Sequence, residues 1–211
     1  MDVAEMLEEI DDHGFTDTDS DRKLSMLNDA MYDAASRDSW PFMEETVTLT
    51  FSGSSAVPSN LPADFERPVS LVRTDDRVKL TPVRYEVVDS WNADLTQSGQ
   101  ALYYYLLGDQ LNVWPVPGTS DTIRMRYIKT PAALTAGTLS AAVDWPLRHH
   151  RVIVLGALFK LYDMEDDPEL AVRFQQQFEQ RIQQMAGDVF SRQLDRPDVI
   201  YTDPWFDGGY D

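Results

Sequence analysis

The sequence predicts an α+β fold: a helical bundle built from N- and C-terminal helices, with a small antiparallel β barrel or sandwich inserted between them. Three observations predict it. Apolar residues recur at three- and four-residue steps over residues 1–43, and the same texture returns in the later part of 131–196. Over 44–130 they alternate instead, as in half-buried strands. Prolines at 58, 62, 68, 82, 115 and 117 keep the strands of that stretch short or on edges. With 211 residues, 43% of them hydrophobic, the chain is long enough for one sizeable core or two small ones.

Val3, Met6, Leu7 and Ile10 share one helical face, and Gly14 follows where a helix C-terminus places it. Asp17-Thr18-Asp19-Ser20-Asp21 supplies N-caps and acids for the next helix dipole. Leu24, Leu27, Met31 and Ala34 then form a stripe, and the helix is expected to end at Ser39, before Trp40-Pro41. Thr46 to Phe51 alternates as a strand; after a loop from Ser52 to Pro62, further strands are expected near 67–73, 78–88 and 101–107. Gly108-Asp109-Gln110 separates the two arms of a hairpin, and 123–127 alternates again. Residues 131–145 connect back to the helices. Val152, Leu155, Phe159 and Tyr162 mark a helix apolar nearly all round, hence buried. Asp166-Asp167-Pro168 opens a long amphipathic helix striped by Ala171, Phe174, Phe178, Ile182, Met185 and Val189. Its other face carries Gln175, Gln176, Gln180, Gln183 and Gln184. Residues 197–211 form an extended aromatic and acidic tail without periodicity.

The net charge of −18 excludes a freestanding nucleic-acid binder with a general basic surface, since phosphate affinity rests on Lys and Arg. The absence of cysteine excludes a disulfide scaffold, a thiol enzyme and a Cys-ligated metal. The longest apolar run, Val152 to Phe159, is far short of the ~20 residues a bilayer crossing requires. An acidic N-terminus is unlike a signal peptide, so a soluble protein made inside the cell is expected. An Asp-rich, Lys-poor composition suits high salt, and a GC-rich genome gives the same preference for Arg.

Catalytic patterns are missing. Asp17-x-Asp19-x-Asp21 opens like a calcium loop, but Arg22 stands where glycine is needed and Asn28 where glutamate is needed. There is no Gly-x-Ser-x-Gly and no Gly-rich phosphate loop. Paired carboxylates arise by chance among 36 acids, so a glycosidase-like hydrolase has no specific support, and no cofactor is indicated. Arg148-His149-His150-Arg151 is a basic cluster in an acidic chain; it either pairs with acids on a neighbouring helix or contacts phosphate or an acidic partner. The tail anchors Tyr201, Trp205, Phe206 and Tyr210 are of the kind interfaces favour; the tail either folds back on the bundle or docks on another subunit or protein. Tyr103-Tyr104-Tyr105 places Tyr104 on the opposite sheet face from its neighbours, as a two-sided sandwich core would require. A ligand- or carbohydrate-binding β module on a helical support is one functional reading of this pattern.

Four segments carry a resemblance. Asn28-Asp29-Ala30-Met31-Tyr32 with Ser36-Arg37 and Trp40-Pro41-Phe42 comes first, then Leu61 to Arg67. Tyr105 to Pro117 and Met125 to Leu134 complete the set. In order and spacing, over about 28–180, they resemble the head-to-tail connector (adaptor) proteins of tailed phages. The resemblance implies a virion structural protein, not an enzyme. It implies a homo-oligomeric ring, commonly a dodecamer, in the virion neck, assembled in the host cytoplasm. Its partners would be the portal protein above and a tail or nozzle protein below, with no membrane involved. Genomic DNA would pass through the lumen without specific binding, and lumenal acids would repel it.

Overall fold

The structure is a computed structural model that describes residues 1–51, 59–91, 97–138 and 143–194. Helix α1 (Val3–Ile10) opens on a capping box: Asp2 Oδ1 accepts from the Glu5 N–H at 2.9 Å, and Glu5 Oε2 accepts from the Asp2 N–H at 2.8 Å. Gly14, at φ 101°, turns the chain into α2 (Ser20–Ser36). That helix stops three residues before the expected Ser39. Ser36 Oγ donates to the Asp33 carbonyl at 2.8 Å and Trp40 Nε1 to the Ala34 carbonyl at 2.9 Å, so side chains take the last helical acceptors.

The strands follow: β1 (Glu44–Phe51), β2 (Ser59–Asn60), β3 (Phe65–Arg73) and β4 (Thr81–Pro82). After α3 (Tyr85–Trp91) come β5 (Ser98–Gly99), β6 (Tyr103–Leu107), β7 (Gln110–Trp114), β8 (Val116–Pro117) and β9 (Asp121–Lys129). They form three sheets, ordered β1-β9-β3, β2-β7-β6-β4 and β5-β8. The sheets are small and mostly antiparallel, and they do not close into a barrel; among the described residues no ladder joins one to another. Their apolar faces meet instead, burying Leu49, Leu71, Leu111, Ile123 and Met125.

The expected strand over 78–88 is a correction: Lys79 makes a single bridge to Val72, Thr81–Pro82 pairs with β6, and α3 follows. Alternation of Val83, Tyr85 and Val87 hides the helical step from Arg84 to Val88. The helix lies over the tyrosines, with ring centroids 5.7 Å apart for Tyr85 and Tyr105 and 5.1 Å for Trp91 and Tyr103. A helix, rather than a second sheet, therefore covers that face of β6.

Helices α4 (His150–Met164) and α5 (Pro168–Leu194) complete the bundle. Asp167 Oδ1 accepts from the Leu170 N–H at 3.1 Å, with Pro168 at the first helical position. Val152 to Leu155, Ala157 and Leu158 are buried, as a helix apolar all round requires, and the stripe from Ala171 to Val189 faces them. At Gly156 the helices approach so closely that an added Cβ would lie 2.8 Å from Ala30 Cβ and 2.9 Å from the Phe178 ring. Helices from both ends of the chain thus share one core, while the β sheets have another. Strand β9 serves both: Tyr127 belongs to the sheet core and the next residue, Ile128, to the bundle core.

Candidate functional site

Three of the four segments that carry the resemblance meet where helices and sheets join, and the fourth, Tyr105 to Pro117, is tied to the second by the Leu61 N–H, which donates to the Asp109 carbonyl at 3.0 Å. Asn28 on α2 donates its amide to the Leu134 carbonyl at 3.1 Å and accepts the Leu134 N–H at 2.7 Å. The Asp64 carbonyl accepts the Thr130 N–H at 2.7 Å, and its carboxylate accepts the Tyr127 hydroxyl at 3.0 Å. Burial, together with the Asp64 carboxylate and nearby Glu45, pushes the Tyr127 phenol up to about 12. Arg67 donates to Ser39 Oγ, and Trp40 and Phe42 pack on Trp145 with ring centroids 6.3 and 5.1 Å away. Lys129 Nζ donates to Asp144 at 2.8 Å, and the second Asp144 oxygen accepts the Ala132 N–H at 3.0 Å. These contacts fix the orientation of the β module on the bundle.

The basic cluster sits at the start of α4. Its four residues part company there. His150 is fully buried, its Nδ1 2.7 Å from the Met1 carbonyl and its Nε2 2.8 Å from the Trp145 carbonyl. His149 is buried too, and its Nε2 accepts from Arg148 Nε at 2.9 Å. The same nitrogen lies 3.9 Å from Asp188 Oδ2. Arg148 and Arg151 face outward, and Arg151 Nε lies 3.3 Å from Glu9. Pairing with a neighbouring helix therefore accounts for part of the cluster.

What the sequence did not reveal is Arg181, thirty residues further on in α5. Packing of α4 on α5 brings it to the same place. Arg148, Arg151 and Arg181, with Gln184 and Asp188, line a cleft of about 180 Å³. It adjoins a second of about 360 Å³, walled by Arg151, Arg181, Gln177, Gln180 and Gln184. Gln180 and Gln184 of the expected glutamine face, with Gln177, share one surface with the arginines; Gln175, Gln176 and Gln183 do not line it. Its chemistry is that of an anion-accepting groove with amides for hydrogen bonding. Its sequence signal would have been an arginine within the glutamine run, legible only once α4 and α5 are paired.

A third feature lies on the β module. Pro68, Pro82, Val83, Leu106 and Leu107 line an open groove of about 570 Å³, whose only charged lining residues are Arg84 and Glu86. Leu107 is 52% exposed and Trp91 46%. The tail residues Tyr201, Trp205, Phe206 and Tyr210 lie outside the described residues. Among the described residues, no group of three or more His, Asp or Glu is placed to hold a metal ion, and no helix is long and apolar enough to cross a membrane.

No curated protein matches the chain. A family model does: the one described as SU10 adaptor protein matches residues 1–201. That span covers all four segments, the arginine cleft and the apolar groove, and it stops within the tail. The chain belongs to the SU10 adaptor protein family, and its role is that of a structural phage adaptor in the virion.

Proposed function

We propose that this adaptor acts in the head-to-tail connector, as a homo-oligomeric ring beneath the portal protein. The ring joins capsid to tail or nozzle and surrounds the channel through which genomic DNA passes. The observation that carries this reading is the family match over 1–201. Twelve subunits, a neck location and assembly in the host cytoplasm follow from the resemblance of the four segments to connector proteins.

The apolar groove on the β module supports it, and we assign its occupant as a second copy of the chain. Copies carrying −18 each repel through most of their surface. A groove with one arginine and one glutamate is close to neutral, so two copies meet there at least electrostatic cost. The acidic balance also suits a channel: carboxylates facing the lumen repel phosphate and let DNA slide. The tail, with Tyr201, Trp205, Phe206 and Tyr210, is assigned to the contact with the portal or a neighbouring subunit on assembly.

Light scattering and negative-stain imaging of the purified protein, alone and with portal, test the reading. Rings or portal-bound complexes are expected. A monomer that ignores portal and binds glycans would overturn it in favour of the ligand-binding module.

A further inference from the structure

The arginine cleft gathers three cations beside a single lining acid, Asp188, in a chain where bases are few; of the three, Arg151 also pairs with Glu9. We infer that it is the seat of the protein's own C-terminal segment, residues 197–211, in the unassembled subunit.

Charge complementarity is the first argument. The segment holds Asp198, Asp203, Asp207 and Asp211 and no lysine or arginine. Arg148, Arg151 and Arg181 wall the cleft. Elsewhere in a chain of 36 acids against 18 bases, an acidic segment meets mostly repulsion.

Chemistry beyond charge agrees. Guanidinium planes stack on aromatic faces, and the segment supplies Tyr201, Trp205, Phe206 and Tyr210. Gln177, Gln180 and Gln184 offer amides that donate to and accept from an extended backbone.

Reach is the third argument. Helix α5 ends at Leu194, and Gln184 lies ten residues earlier, about 15 Å back along the axis. An extended chain covers that distance in about five residues. If Arg196 and Pro197 make the turn, Thr202 and Asp203 come alongside Gln184 and Arg181. A tethered segment that meets this span faces its seat at an effective concentration no free partner matches. The inference goes beyond the proposed ring and does not depend on it: seating is a property of one subunit, and the segment is free to leave when a partner competes.

The cysteine-free sequence allows a direct test in the full chain. The double variant Gln184→Cys with Thr202→Cys is oxidised at micromolar concentration, and the link is mapped by peptide mass. An intramolecular 184–202 disulfide is expected, formed at least about tenfold faster than in the control pair Thr48→Cys with Thr202→Cys. Adding Arg151→Glu and Arg181→Glu should remove the advantage. So should 1 M salt without any charge substitution, where the Debye length falls to about 3 Å. Three outcomes overturn the inference: parity with the control pair, indifference to charge reversal and salt, or links that are predominantly between chains. The last would give the cleft to a neighbour's tail. Mass of the same samples before oxidation reports assembly separately, so a failed ring and an unseated tail are told apart.

Discussion

Asn28 on α2 grips both backbone groups of Leu134, donating to its carbonyl at 3.1 Å and accepting its N–H at 2.7 Å, across 106 residues of sequence. The side-chain amide mimics a strand partner, and the loop that leaves β9 is pinned to the bundle. It also donates to the Leu24 carbonyl at 3.1 Å, so three hydrogen bonds rest on one residue.

Asn28→Ala should therefore destabilise the protein by about 1–3 kcal/mol, the cost of stranding partly buried backbone groups. Asn28→Asp keeps the acceptor and loses both donors, so it should fall between. Urea unfolding of the three proteins checks the order; an alanine variant as stable as the parent refutes the role.

Gly156→Ala sets two effects against each other. Helix propensity gains about 1 kcal/mol, whereas overpacking against Ala30 and Phe178 costs about 1–3 kcal/mol. Both neighbours are rigid, so the clash should win and the melting temperature should fall. Ala30→Gly in the same chain should recover part of the loss.

The Lys129–Asp144 pair gives a pH dependence with a definite sign. Burial raises the Asp144 carboxyl, but hydrogen bonds from Lys129 and the Ala132 N–H outweigh it and hold the group below the usual carboxylate range. Its contribution is present above the unfolded value of about 3.9 and is lost as pH falls through the folded one. Hydrogen bonding to Asp144 raises Lys129, so its contribution is complete below the unfolded value of about 10.4 and is lost as pH rises through the folded one. Stability measured against pH should lose both limbs in the Lys129→Met, Asp144→Leu double variant. In the parent, ultraviolet titration should show one tyrosine at about 12, absent in Tyr127→Phe.

Leu107→Lys tests the groove. The side chain is 52% exposed, so stability should change by less than about 0.5 kcal/mol. Assembly, read by light scattering, should weaken at least about tenfold. Unchanged assembly would remove the groove from the subunit contact.

Truncation before Pro197 should leave the bundle folded and abolish docking on the portal. A truncated chain that still binds portal contradicts the tail's assigned role.

Much of this was legible in the sequence. The stripe from Ala171 to Val189 and the apolar helix from Val152 gave the bundle because helical periodicity survives packing. Thr46 to Phe51 gave β1 because one face is buried and the other wet. The segment Tyr85–Trp91 misled because a single turn or two of helix carries too few apolar repeats to outvote an accidental alternation. That the sheets stay open rather than close into a barrel was not legible, since it depends on which strand edges meet. Nor was Arg181, whose place beside Arg148 and Arg151 is fixed by the pairing of α4 with α5 and by nothing near it in the chain. His150 shows the converse: its cationic neighbours suggested an exposed group, but Met1 and Trp145 draw it inward.

Consecutive residues of β9, Tyr127 and Ile128, are embedded in different cores. No slack chain lies between the sheets and the helices at that point. A pull on the β module is felt by the bundle one peptide bond later, and the two halves yield together or not at all. A subunit built this way shares load between sheets and helices with little stretch of its own.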